Sequence, residues 1–351
     1  MIFVPNHPEY FADWMLDKWL LDKIAPNMAN WADASVVNGL GSWMQKLWLG
    51  NNLIAAVRGD DSAKAIEYSI DWACQGNGVL LHPEGAVNWD NESVGQLFPG
   101  AARMAIEAAR RHASGKALLA PLAWYLRFDH DVERELQKDL DDVAHRLKLH
   151  LPTTTPAGQL LFIIQALVEQ YAHTFQLPAR HPRLQRYATQ ERLHEVLQLC
   201  SFSLVDEWHL DNSGLAQLAP LALALRVVKL LRATKEPEAL TAGARLERII
   251  RLNASTLSGA ELSQEQIMQR LRRIRQDWIR GKKLDIIGQM APRGLASREA
   301  FIAVAPRIEV TANDTPEEVT TRLHAAICQA LADARALAEH AKGPSRTYSI
   351  R

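Results

Sequence analysis

Val79-Leu80-Leu81-His82 is a short apolar run, and Ala117-Leu118-Leu119-Ala120-Pro121-Leu122 is another. Between them lie a polar, glycine-containing loop over residues 83–98 and a segment over 101–112 with apolar residues at helical spacing. Strand, helix and strand in that order make a crossover unit of a parallel sheet. The same alternation extends upstream. Residues 2–5 read as a strand and 11–24 as a helix, with Met15, Leu16, Trp19, Leu20 and Ile24 at helical spacing. Residues 32–48 read as a second helix, 53–57 as a strand, and 62–75 as a helix that Ser62 caps. Gly76-Asn77-Gly78 is a turn signal. The expected fold class is α/β, a mostly parallel sheet flanked by helices, with a large all-helical insertion or second domain. Ligands of such sheets bind off the carboxyl ends of the strands. His7 and Glu84 both fall there.

The texture changes near residue 129. Helical patterns follow over 132–149, 158–175, 191–199, 215–231, 236–252 and 264–280. Short β-type runs return at 301–304 and 307–311, and 316–342 is a last amphipathic helix with Leu323, Ile327, Ala330, Leu331, Ala334 and Leu337 on one face. The expected divisions are residues 1–128 as the α/β core, 129–298 as a helical region, 299–342 as a strand and helix completing the core, and 343–351 as a flexible tail.

Bulk composition narrows the function classes. Lys+Arg and Asp+Glu both number 40, so no global field points to nucleic acid or to an acidic partner. Three widely spaced cysteines, Cys74, Cys200 and Cys328, suit a reducing compartment and build neither a disulfide framework nor a zinc ribbon. The start of the chain lacks the pattern of a signal peptide. The most apolar stretch, residues 215–231, holds Pro220, Arg226 and Lys229, and it falls short of the ~20 apolar residues a spanning helix needs.

Chemistry concentrates in two segments. Val4-Pro5-Asn6-His7-Pro8-Glu9-Tyr10-Phe11-Ala12-Asp13 puts a His just past a strand with an Asp a few residues on. A His with a carboxylate partner can take a proton from a hydroxyl. His82-Pro83-Glu84-Gly85 puts a Glu-Gly pair past a second strand. Taken alone, an Asn-His at a strand end is more often a loop element, and Glu84 a turn carboxylate.

Taken in order, the blocks resemble the glycerolipid acyltransferases, which include lysophosphatidate and glycerol-3-phosphate acyltransferases. Asn6-His7 with Asp13 resembles the family's Asn-His-x4-Asp block. Ile54-Ala55-Ala56-Val57-Arg58 is similar to its apolar strand ending in Arg, and His82-Pro83-Glu84-Gly85 to its Phe-Pro-Glu-Gly-Thr-Arg block. Phe98-Pro99-Gly100-Ala101-Ala102-Arg103-Met104-Ala105 resembles the family's helix start, and Leu118-Leu119-Ala120-Pro121-Leu122-Ala123 its late apolar-Pro block. Arg307-Ile308-Glu309-Val310 weakly resembles its closing strand. The match covers about residues 1–125 and, through the weaker closing strand, extends to about 300–340; the helical middle, roughly 130–298, has no counterpart.

The resemblance implies an O-acyltransferase of phospholipid and lipid metabolism. It would move a fatty acyl group from an acyl thioester, acyl-CoA or acyl carrier protein, to a hydroxyl of a lysophospholipid or glycerol-phosphate-like acceptor. His7 would be the general base and Asp13 its carboxylate partner. Backbone N–H groups at the helix start after His7 would stabilise the oxyanion. Asn6, Arg58, Glu84 and Gly85 would bind substrate: Asn6 by holding the loop, Arg58 through a phosphate, Glu84 through the acceptor's polar head, and Gly85 by admitting close backbone approach. No metal and no cofactor beyond the thioester co-substrate is implied. The expected location is cytoplasmic, extending to a peripheral place on the cytoplasmic membrane face.

Three departures stand against the pattern. Five residues, Pro8 through Ala12, separate His7 from Asp13 where the family has four. One extra residue turns a helical Asp13 by about 100°, and Glu9 is then an alternative partner. Ala86-Val87 replaces the family's Thr-Arg, whose Arg binds the acceptor phosphate. The chain opens almost on the catalytic block, where relatives carry a preceding membrane-associating segment.

Rival readings follow from the same residues. A relative that binds lipid or acts as a scaffold would keep the fold without the chemistry. His7, Asp13, His82 and Glu84 would suit zinc or iron in a hydrolase, although no tight ligand pair supports this, and His82 is more economically a packing residue. Trp14, Trp19, Trp31, Trp43 and Trp48 are either core of a two-helix unit or an apolar groove or membrane-facing surface. Residues 264–280 form a basic amphipathic helix, which is either a packed helix with a solvated face or a lipid contact.

Overall fold

In the computed structural model, residues 1–9, 12–21, 23–25, 27–34, 37, 41–56, 63–85, 87–175, 189–252, 261–279 and 296–350 are described. Strand β1 (Ile2–Pro5) lies in the middle of a seven-stranded, mostly parallel sheet. Parallel to it on one side is β4 (Val79–Leu80), then β2 (Ala29–Asp33), then β3 (Leu53–Ala56) at the edge. On its other side is β5 (Lys116–Phe128), also parallel. Two antiparallel strands close the far side of β5: β8 (Ile308–Thr311) pairs with Lys116–Leu119, and β7 (Arg298–Val304) with Leu122–Phe128. Pro121 falls where one partner has ended and the other has not begun. Its missing N–H therefore costs no ladder bond, which reconciles a proline with an interior strand.

The intervening helices are α1 (Ala12–Leu21), α2 (Gly41–Gly50), α3 (Ala63–Cys74) and α4 (Gly100–Arg111). Because strand side chains alternate in direction, β1 feeds two cores. Ile2 and Val4 pack with Ile70 of α3, with Met104 and Ile106 of α4, and with Leu323, Ile327 and Leu331 of the long helix α11 (Pro316–Lys342). Phe3 packs on the other face with Met28, Leu80, Leu122 and Trp124, against Leu16 and Leu20 of α1. Truncating a fully buried residue such as Ile327 costs about 2–5 kcal/mol in such a core.

Helix α11 starts where the pattern predicts. Thr315 accepts the Glu318 N–H and the Glu318 carboxylate accepts the Thr315 N–H, a reciprocal cap. Its C-terminal end is tied to β5 by Arg127, whose guanidinium donates to the carbonyls of Gly343 at 2.9 Å and Pro344 at 2.7 Å. Residues 1–135, 268–273 and 282–345 form one compact unit.

The second unit holds residues 136–267, 274–281 and 346–351. It contains α6 (Pro156–Thr174), α7 (Thr189–Glu207), α8 (Pro220–Thr234) and α9 (Pro237–Leu252), together with most of α5 (Glu133–Leu147). Helix α10 (Gln264–Ile274) runs on into a π turn over Arg275–Ile279.

Several expectations need correction. Residues 32–48 are not one helix: Ala29–Asp33 is strand β2, and α2 begins at Gly41. Neighbouring β3 and β4 override local propensity there, and the Trp31 indole N–H donates to Ser69 of α3 at 2.8 Å. The segment over 215–231 is broken, because Pro220 keeps Ala219 extended (ψ 151°) and restarts the helix. Residues 343–351 are not simply a tail. Strand β9 (Thr347–Ser349) pairs antiparallel with β6 (Glu261–Ser263), and Tyr348 is buried. Among the described residues no helix is long and apolar enough to cross a membrane.

Candidate functional site

Strand β1 stops opposite Leu122, while β5 continues to Phe128. The main-chain groups of β5 beyond that point need partners, and two asparagines supply them. Asn6 accepts the Trp124 N–H at 2.8 Å and donates to the Trp124 carbonyl at 3.0 Å. Asn91 does the same for Leu126, at 2.8 Å in both directions. Each side-chain amide stands in for a missing strand residue. Asn6, expected among the substrate-binding residues, thus holds the loop at the strand end.

The next residue, His7, is pinned at both ends of its own backbone. Its N–H donates to Glu84 Oε1 at 2.7 Å, and its carbonyl accepts the Asn88 N–H at 2.8 Å. Glu84 Oε2 accepts the Gly95 N–H at 2.7 Å. One buried carboxylate therefore ties β1 to the loop after β4 and closes that loop on itself. Bonds of this kind, to an ionised acceptor, contribute about 1.5–3 kcal/mol each. Two glycines make the arrangement possible. Gly85 has a φ of 65°, and a Cβ there would lie 2.8 Å from the Phe98 ring. A Cβ on Gly95 would lie 2.6 Å from Glu84 Oε2. In the same loop, buried Trp89 also has positive φ, 56°. Such a backbone costs of order 1–3 kcal/mol and is held by its surroundings.

The His7 ring stacks on the His82 ring, with centroids 4.0 Å apart and planes 22° apart. His82 Nε2 stands 3.1 Å from Asp17 Oδ2. Asp17 is fully buried on α1, and its Oδ1 accepts the Trp124 indole N–H at 2.6 Å. A carboxylate, an imidazole and a second imidazole follow one another, all near the carboxyl ends of parallel strands. His82 does pack, as expected of it, but against His7 and a buried acid. Asp17 was missed. Its signal was available: it sits four residues after Asp13, among the inward-facing Leu16 and Leu20 rather than on the wet face.

Glu9, the alternative partner for His7, is fully buried and held by two arginines. Arg298 approaches with both terminal nitrogens at 2.7 Å, and Arg272 pairs with Oε1. Burial alone would raise its carboxyl, but Arg272 and Arg298 hold it below the usual carboxylate range. Arg272 belongs to the basic helix α10, and other members of that helix are also used internally. Gln269 accepts the Asn91 N–H at 2.8 Å, Arg270 lies 3.4 Å from buried Asp90, and Arg273 donates to the carbonyls of Val87 and Asn88. In the second unit, Arg275 pairs with Asp139. Among the described residues, Arg270, Arg272, Arg273 and Arg275 are engaged by carboxylates and carbonyls of the protein.

The side chain of Asp13 and all of Arg58 lie outside the described residues, as do Tyr10, Phe11 and Ala86. Among the described residues no group of three or more His, Cys, Asp or Glu is placed to hold a metal ion. No family model, curated protein or solved structure matches the chain.

Proposed function

We propose that the protein is an O-acyltransferase that moves a fatty acyl group from acyl-CoA or acyl carrier protein to a hydroxyl of a glycerolipid-like acceptor. The observation that carries this reading is the placement of His7. Its backbone is clamped by Glu84, and its ring is backed by His82 and Asp17 at the carboxyl edge of a parallel sheet.

In this reading His7 removes the acceptor hydroxyl proton as the oxygen attacks the thioester carbonyl carbon. The tetrahedral intermediate then collapses, the C–S bond breaks, and the departing thiolate takes the proton held on His7. The leaving thiolate is stable, so a single base is sufficient. Glu84 and Gly85 act by fixing the loop rather than by reaching substrate. Asp17 positions the His82 ring on which His7 stacks, while the carboxylate role on His7 itself stays with Asp13, as the resemblance implies. Arg58 retains the phosphate-binding role that the resemblance implies.

The test is transfer from labelled acyl-CoA, and separately from acyl carrier protein, to lysophospholipids, glycerol-3-phosphate and non-phosphorylated acceptors. His7→Ala is expected to lower transfer by about 10²–10⁴-fold, the usual contribution of a general base. Near-wild-type transfer by His7→Ala would overturn the assignment. No transfer by the unaltered protein from either donor would favour a lipid-binding relative without chemistry.

A further inference from the structure

Helix α2 reads Gly41-Ser42-Trp43-Met44-Gln45-Lys46-Leu47-Trp48-Leu49-Gly50, and of its residues other than Met44 none is buried. Trp43, Leu47 and Leu49 are 72%, 45% and 50% exposed. Helix α1 turns Leu16 and Leu20 to the sheet and leaves Met15 and Trp19 51% and 62% exposed, with Ile24 just beyond it also exposed. The two helices share a face of the sheet. The chain steps from β1 past β4 to β2 and onward to β3 in one direction, so two right-handed crossovers put α1 and α2 on the same side. The returning helices α3 and α4 pack on the opposite face, with Ile2 and Val4.

These large apolar side chains are interleaved with lysine. Lys23 Nζ sits 4.2 Å from the centre of the Trp19 ring. Lys46 is exposed between Trp43 and Leu47. Protein–protein interface cores favour tryptophan but are depleted in lysine. Tryptophan beside lysine suits the boundary of a bilayer, where the indole sits at headgroup depth and the ammonium meets anionic headgroups. The basic helix α10 does not compete for this role, since several of its arginines are engaged within the protein.

We propose that the face formed by α1 and α2 docks on an anionic lipid bilayer, with Trp19, Trp43 and Leu47 entering the interface and Lys23 and Lys46 contacting headgroups. This goes beyond the catalytic reading and does not depend on it. Helix α1 also carries Asp17, so docking would set the candidate site beside the lipid surface.

The experiment is co-sedimentation of the full chain with vesicles of phosphatidylcholine alone and of phosphatidylcholine with phosphatidylglycerol, over a range of salt. Binding is expected to require the anionic lipid and to weaken with salt. Lys23→Ala with Lys46→Ala should lower partitioning roughly 30-fold, at about fivefold per lysine near an anionic surface. Trp19→Ala with Trp43→Ala should lower it at every salt concentration. All four side chains are exposed, so both variants should keep the wild-type circular dichroism and melting curve. Failure of the unaltered chain to bind anionic vesicles, or equal binding by both variants, would overturn the proposal. So would a dimer in sedimentation velocity that the tryptophan variant dissolves without any vesicle binding, because the occupant would then be a second copy. None of these readouts involves acyl transfer, so the docking surface and the chemistry can fail separately.

Discussion

Replacing Glu84 by Gln keeps the size of the side chain and removes its charge. The carboxylate accepts the His7 N–H at 2.7 Å with one oxygen and the Gly95 N–H at 2.7 Å with the other. Glutamine has one acceptor oxygen. Whichever N–H that oxygen takes, the amide NH₂ faces the other donor, so one bond is lost with its partly buried donor left without an acceptor, and the bond that remains is no longer charge-assisted. The loss is at least about 3 kcal/mol, taking the low end of about 1.5–3 kcal/mol for the bond and a comparable low-end cost for the orphaned group. That corresponds to about a 100-fold increase in local opening. Because the chain holds two compact units, a single unfolding midpoint would blur the effect. Amide hydrogen exchange resolves it. Exchange at His7 and Gly95 should accelerate by about 100-fold, while the helices of the second unit remain unchanged. Acyl transfer should fall with it, since a His7 freed to move by about 1 Å costs on the order of 10²-fold. Wild-type exchange at both amides in Glu84→Gln would refute the clamp. Accelerated exchange with unaltered transfer would refute the link from clamp to chemistry.

Glu9→Gln leaves the partly buried Arg272 and Arg298 without their shared counter-charge and should destabilise the first unit by about 3 kcal/mol, the lower end for breaking a buried pair, measured by denaturant melts with a probe in that unit. The folded Glu9 carboxyl is held below its ordinary range, so its contribution is complete above the unfolded value of about 4.3 and disappears as pH falls through the folded value. Acid unfolding should therefore be steeper in the unaltered protein than in Glu9→Gln, and equal pH profiles would count against the ion pair. Asp17→Asn keeps an oxygen for the Trp124 indole but places an amide toward His82. It should lower kcat by roughly 10²-fold with KM unchanged, as expected for loss of ring positioning. A change confined to KM would remove Asp17 from the His82–His7 arrangement.

What could be read from the sequence follows the physics of each element. Strands β1, β4 and β5 are interior parallel strands, so they appear as unbroken apolar runs, and helix α11 announces itself through the Thr315–Glu318 cap. Strand β2 does not. Ala29-Asn30-Trp31-Ala32-Asp33 holds a buried asparagine and no run of branched residues, and only its two neighbours make it a strand. Strand β9 was hidden for a similar reason: three residues gain meaning only through distant Glu261–Ser263. The site was legible where residue type and position coincide, as with His7 and Glu84 past their strands. Its supporting parts were not. Asn6 reads as a polar loop residue until β5 overshoots β1, and Asp17 reads as a helix charge until its burial against Trp124 and His82 is seen.

Glu9 and α10 show most directly why pattern alone misassigns charge. A helix with Arg270, Arg272 and Arg273 looks built for an external anion, and Glu9 looks available to His7. Each misreading explains the other, because two arginines of separate segments, Arg272 and Arg298, converge on that one carboxylate. A charge counted from sequence carries no address. The same balance of 40 basic and 40 acidic residues accommodates buried pairs that set the wall of a site and lysines left on a tryptophan-rich face. Around the site Arg270 is buried and Arg272 and Arg298 are partly so, whereas Lys23 and Lys46 lie exposed near Trp19 and Trp43, a division that the weaker hydration and planar fork of the guanidinium favour. A lipid surface would then meet lysine and indole, while the guanidinium groups hold the loop and strand end on which His7 stands.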